Sequence, residues 1–137
     1  MKFRCLNSTQ EVNVNTMPYL IDWDRVVSKP QKKVKDFLRP YWQGHVVLEE
    51  FRIPRTRMRV DLLSLTSHVA VEVSPAGSHS FNEFFHKNRQ NFRVAVGREF
   101  DKAAWLEQNG FTLVEVFDDD MDKLSRKWFR ETYNLEL

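Results

Sequence analysis

Arg57-Met58-Arg59-Val60-Asp61-Leu62-Leu63-Ser64-Leu65-Thr66-Ser67-His68-Val69-Ala70-Val71-Glu72-Val73-Ser74 holds two apolar runs on either side of a polar break at Thr66-Ser67. Runs of this length, bounded by turn residues and rich in aliphatic side chains, read as a β-hairpin inside a core. A two-residue turn at Thr66-Ser67 pairs Leu65 with His68. Counting back along both strands then sets Asp61 opposite Glu72. Residues directly opposed in an antiparallel pair share a face, with Cβ atoms about 4.5–5.5 Å apart. Two carboxylates that close repel one another, and taking them out of water is costly unless something compensates. A divalent cation between them is one compensation. A solvent-facing carboxylate, or one paired with a neighbouring arginine, is the other.

Around this hairpin the composition is that of a folded globular chain. Its 137 residues fit one domain with a real core, and 42% are hydrophobic, with 11 Phe, 4 Trp and 3 Tyr. A formal net charge of +2 permits nucleic-acid binding without implying it, so local clustering must carry that argument. The single cysteine, Cys5, rules out an internal disulfide and a cysteine-rich zinc site. No apolar stretch approaches ~18 residues, so no membrane span is expected. Met1-Lys2-Phe3-Arg4-Cys5 lacks an apolar signal core, and the expected compartment is cytoplasmic.

Upstream, residues 1–27 read as a loop-rich N-terminal arm, packed onto the rest through Tyr19, Leu20, Ile21 and Trp23. Ser28-Lys29-Pro30-Gln31 opens a helix, with Ser28 as N-cap and Gln31 at the capping-box position. Val34, Phe37 and Leu38 form its apolar stripe. Lys29, Lys32, Lys33 and Lys35 cover much of the remainder, either as a solvated face or as phosphate contacts. Pro40 is expected to end the helix near Arg39. His45 to Ile53 reads as a strand. Arg52, Arg55, Arg57 and Arg59 follow within eight residues. Such guanidinium groups hold phosphates in bidentate geometry, or they balance Glu49, Glu50 and the Asp61 site.

Downstream, Ser74-Pro75-Ala76-Gly77-Ser78-His79 reads as a loop that folds His79 back over the carboxylates. Phe81, Phe84, Phe85 and Phe92 fall on one helical face and read as core. A further helix runs through Arg98, Glu99 and Lys102 to Asn109, with Gly110 as its stop. Phe111 to Phe117 is a buried strand. Asp118-Asp119-Asp120 is expected to cap a last helix whose buried stripe is Met121, Leu124 and Trp128. Its outer face carries Lys123, Arg126, Lys127 and Arg130. Strands and helices in this order give an α/β fold, with a mixed central β-sheet flanked by helices.

Several pieces carry a resemblance: Arg59-Val60-Asp61, Val71-Glu72-Val73, Gly77-Ser78-His79, Arg98-Glu99, Lys102-Ala103-Ala104-Trp105-Leu106 and Asn109-Gly110-Phe111. In this order and spacing the chain resembles the PD-(D/E)XK nuclease superfamily. Within it, the similarity is to the branch of very-short-patch-repair endonucleases and related phage and homing endonucleases. The resemblance covers roughly residues 28–120. It implies a restriction-endonuclease-like fold, with 28–137 as the nuclease-like catalytic domain, and hydrolysis of DNA phosphodiesters with Mg²⁺ (or Mn²⁺). By it, Asp61 and Glu72 are the metal ligands, His79 stands near the scissile phosphate, and Glu99 takes the place of an aspartate in an Arg-Asp pair. The chain departs from the pattern in three places. The lysine of the Glu-x-Lys motif is Ser74, the acid often found on the first helix falls near Gln31, and the loop before His79 is about one residue longer.

The chemistry fits the residue types. Hard carboxylate oxygens without cysteine favour Mg²⁺ or Mn²⁺ over Zn²⁺. A histidine whose ordinary pKa is near 6.5 serves as general acid or base. Arg98 and Lys102, one helical turn apart, are placed to neutralise phosphate charge, beside the DNA contacts expected of Arg52, Arg55, Arg57 and Arg59. The expectation is therefore a metal-dependent endodeoxyribonuclease acting on double-stranded DNA, of a nicking or homing type, as a homodimer or with a separate specificity partner. The alternative is a nuclease-fold DNA-binding or recombination and repair protein with little or no catalysis.

Overall fold

A computed structural model describes residues 1–74 and 100–137. Its centre is a four-stranded sheet built from β3 (Val47–Arg52), β4 (Arg59–Ser64), β5 (Val69–Ser74) and β6 (Thr112–Phe117). The strands lie side by side in chain order. The first three are antiparallel, and β6 runs parallel to β5. A parallel neighbour needs a long crossover, and the chain between β5 and β6 supplies one. Helix α1 (Lys29–Trp42), helix α2 (residues 100–108) and helix α3 (Arg126–Tyr133) complete the main elements.

Each face of the sheet is covered. On one face Val34, Leu38 and Trp42 of α1 pack with Leu62, Val71, Val114 and Phe129 of α3. On the other, Trp105 and Leu106 of α2 pack with Leu48, Phe51, Val60, Leu63 and Ala70. Residues 1–27 belong to this structure. Strands β1 (Lys2–Arg4) and β2 (Glu11–Asn13) form a small hairpin, and Phe3 enters the core beside Trp105 and Phe51. The Trp105 indole N–H donates to the Arg4 carbonyl at 2.8 Å. Tyr19, Ile21 and Trp23 pack onto the two cores, whereas Leu20 is 46% exposed.

Two helix ends follow their sequence signals. Ser28 caps α1 by accepting the Gln31 N–H at 3.3 Å. Gly110, at φ +80°, ends α2. The Gly110 N–H reaches the Glu107 carbonyl and the Phe111 N–H reaches that of Leu106, both orphan acceptors of the last turn.

Three expectations are corrected. Pro40 does not end α1, which runs on to Trp42. Pro40 withholds one N–H from the ladder, but Leu38 and Trp42 are buried and the Gln43 N–H still bonds the Arg39 carbonyl, so packing holds the last turn. The Asp118 triplet does not cap the last helix. It begins a separate 3₁₀ turn (Asp118–Lys123), with Asp120 accepting the Phe117 N–H, while Ser125 caps α3 by accepting the Trp128 N–H at 3.0 Å. The central hairpin turn spans four residues rather than two, since β4 stops at Ser64 and β5 starts at Val69. Ser64 Oγ takes the Ser67 N–H, and His68 adopts φ +58° while its carbonyl accepts from Thr112. The register survives, because Leu62 pairs with Val71 and Leu63 with Ala70, as the count through Thr66-Ser67 requires.

Candidate metal centre and basic cleft

Asp61 and Glu72 are opposed across β4 and β5, one rung past the Leu62–Val71 pair. At that rung side chains replace the ladder. The Asp61 N–H donates to Glu72 Oε1 at 3.3 Å, and the Val73 N–H donates to Asp61 Oδ2 at 2.8 Å. Each carboxylate thus binds the backbone of the other strand, which draws the two acids together where the strands part. Lys102 of α2 donates to Glu72 Oε2 at 3.2 Å, and both of these side chains are largely buried. Lys102 reaches the sheet because it lies one turn before Trp105 and Leu106, on the packed face of α2.

The electrostatics are those of two acids forced together. Burial, and then the charge of Asp61, push the Glu72 carboxyl up to about 8, against the opposing pull of Lys102. Burial also raises Asp61, with the Glu50 charge adding to it, while the Val73 N–H and Lys102 work the other way. Without a cation, the pair therefore keeps a proton past neutrality. Hard oxygens in such a pair suit Mg²⁺ or Mn²⁺. Among the described residues no three His, Cys, Asp or Glu side chains converge on one point. Mg²⁺ does not need three, since it is commonly held by one or two carboxylates together with water and substrate phosphate.

Sequence reasoning missed Glu50. The β3–β4 register pairs Glu49 with Leu62 and Phe51 with Val60, which sets Glu50 against Asp61. Glu50 has φ +53°, an uncommon conformation for a residue with a side chain. Here the alternation of faces resets, so Leu48 and Phe51 enter the same core. Gln31 Nε2 donates to Glu50 Oε1 at 3.2 Å. The Gln31 side chain therefore leaves the capping box unclosed and joins α1 to the acidic rung. Counting through the Ile53–Met58 turn, as through the next one, would have found Glu50. Its positive φ has no sequence signal.

Among the described residues Arg52, Arg55, Arg57 and Arg59 form no ion pair with the acids. Glu49 lies 2.5 Å from Lys35, and this ion pair is fully buried. Glu49 Oε2 forms no hydrogen bond of sound geometry, so the Coulomb attraction is its compensation. Lys35 Nζ also donates to the carbonyls of Asp22 and Arg25. That removes Lys35 from any solvated or phosphate-binding face. Lys32 pairs with Asp36, and Lys33 with Asp122. Arg55, at φ +62°, donates to Gln10 at 2.8 Å.

Arg52, Arg57 and Arg59 line a cleft of about 310 Å³. Arg52 pairs with Arg59 across β3 and β4, two rungs from Glu50 and Asp61. Phe51 and Val60 point into the core with Trp105, so Arg52 and Arg59 project to the other side, the side of α1 and Gln31. His79, Arg98 and Glu99 lie outside the described residues, as does the Phe81–Phe92 stripe. Compared with protein-family models, with curated proteins and with solved structures, the chain matches none.

Proposed function

We propose that this protein is a divalent-metal-dependent endonuclease that hydrolyses DNA phosphodiester bonds, with the restriction-endonuclease-like fold its sequence resembles. The observation that carries this reading is the buried, mutually repelling pair Asp61–Glu72, two rungs from a cleft of arginines. A helix, three antiparallel strands, a second helix and a parallel strand support it, since that is the order in which the resemblance runs. Asp61 and Glu72 would hold Mg²⁺ or Mn²⁺, which supplies Lewis acidity toward a phosphate and neutralises the pair.

The chain's own residues have distinct parts in this reading. The backbone N–H groups of Asp61 and Val73 orient the two carboxylates. Lys102 brings an ammonium to the pair, where Ser74 carries none. Lys102 and Arg98 remain in this reading the groups that neutralise phosphate charge beside the pair. Arg52, Arg57 and Arg59 bind phosphate, by charge-assisted hydrogen bonds that Arg is built to make. His79 as proton-transfer group and Glu99 as its orienting partner remain part of the proposal, as does double-stranded DNA as substrate.

The second reading is a nuclease-fold DNA-binding or repair protein with little catalysis, favoured by Ser74 at the motif-lysine position. Incubation of supercoiled plasmid with Mg²⁺ or Mn²⁺ separates the two. The first reading expects nicked or linear product that Asp61→Ala abolishes. Plasmid left intact by a folded, DNA-binding protein favours the second.

A further inference from the structure

The three-arginine cleft has more charge than a passing backbone phosphate can use. Among the described residues Arg57 and Arg59 have no ion pair or hydrogen bond. Arg52 is held only by its Nε, which donates to the Thr56 carbonyl at 2.7 Å, an anchor that fixes the guanidinium without neutralising it. Two of the acids that would have balanced these arginines are paired elsewhere, Glu49 with Lys35 and Glu72 with Lys102, and Glu50, hydrogen-bonded to the neutral Gln31, forms no ion pair with them. Three guanidinium groups thus face one cleft of about 310 Å³. That volume lies at the lower end of small-ligand sites, roughly 300–1,000 Å³, enough for a phosphate and its sugar.

A phosphodiester in a strand carries one negative charge, whereas a terminal phosphomonoester carries about −1.5 to −2 at neutral pH. Three arginines gathered around one cleft, rather than strung along a track, match the second. We infer that the cleft formed by Arg52, Arg57 and Arg59 binds the terminal phosphate of a nucleic-acid strand. Arg59 and Asp61 lie two residues apart on β4, so the cleft and the carboxylate pair share a strand. The inference rests on the proposed hydrolysis for its functional sense, and it narrows the substrate class to phosphorylated strand ends at nicks or breaks.

The test is a binding measurement that needs no turnover. A short duplex is labelled at one end and carries, at the other, a 5′-phosphate, a 3′-phosphate or hydroxyls only. Fluorescence anisotropy is followed in EDTA, where metal-dependent cleavage cannot interfere. One of the phosphorylated ends is expected to bind about tenfold tighter than the hydroxyl end. The double variant Arg57→Ala, Arg59→Ala should bring that preference to within about twofold. Both arginines are exposed, so the fold is not at stake. Inorganic phosphate should compete with the preferred end in the wild type and not in the variant. Equal affinity for all three ends, weakened alike by the variant, would assign the arginines to internal backbone phosphates and overturn the inference. So would affinities that the variant leaves unchanged. The two proposals fail separately. A phosphate preference in a protein that cleaves nothing sinks the hydrolysis, and cleavage with no preference sinks the cleft.

Discussion

Glu72→Gln should make the metal-free protein more stable at alkaline pH, and the size of the gain follows from the pair itself. In the folded chain the Glu72 carboxyl is held at about 8, against 4.5 ordinarily. A raised pKa means that the native state keeps a proton the unfolded chain has released. Stability from this group is therefore full below the unfolded value and is lost as pH rises through the folded one. At about 1.4 kcal/mol per pKa unit, the loss between about pH 5 and about pH 9 comes to roughly 4 kcal/mol. That is a large part of the ~5–15 kcal/mol that holds a domain together. The substituted amide mimics the protonated acid and has no proton to lose, so the variant's curve omits this slope. The assay is urea unfolding followed by fluorescence of the buried Trp42 and Trp105 across that range. Taking the difference between variant and wild type cancels the other titrating groups. The two proteins should nearly coincide at the acid end and diverge at the alkaline end, with the variant ahead. Parallel curves, or a variant that is less stable at high pH, would show that the fold does not raise the Glu72 carboxyl.

Two further outcomes follow from the same electrostatics. Lys102→Met removes the cation that lowers Glu72, so the alkaline loss of metal-free stability should move to higher pH in the same unfolding series. Lys35→Met strands the Glu49 charge in the core and should cost about 3–5 kcal/mol. Adding Glu49→Leu should recover most of that, as measured by urea midpoints, and a neutral single variant would mean that water reaches Glu49.

The central hairpin was legible because a strand has period two and a turn only sets the count. Whether that turn spans two or four residues, Leu62 meets Val71, and Asp61 stays opposite Glu72. Gly110 and Ser28 were legible because helix ends leave orphan groups that only certain residues satisfy. Lys35 was readable in principle. Positions 31, 34, 35, 38 and 42 are the buried face of α1, so a lysine there must find a buried acid, and Glu49 lies between the core residues Leu48 and Phe51. The persistence of α1 through Pro40 was not readable, since it depends on how tightly Trp42 packs. Nor was the grip of Lys102 on Glu72, a contact thirty residues apart that depends on how α2 lies across the sheet.

The claim that Asp61 and Glu72 form a divalent-cation site is tested most directly by calorimetric titration of Mn²⁺ or Mg²⁺ into the metal-free protein near neutral pH, repeated in buffers of different ionisation enthalpy. Below its folded pKa of about 8 the Glu72 carboxyl holds a proton, and a carboxylate must give up its proton to bind a metal. Cation binding should therefore release close to one proton per ion, with affinity falling as pH falls. Asp61→Asn and Glu72→Gln should each abolish it while the protein stays folded. Binding unaffected by both substitutions, or a wild-type protein that takes up no cation, would contradict the claim.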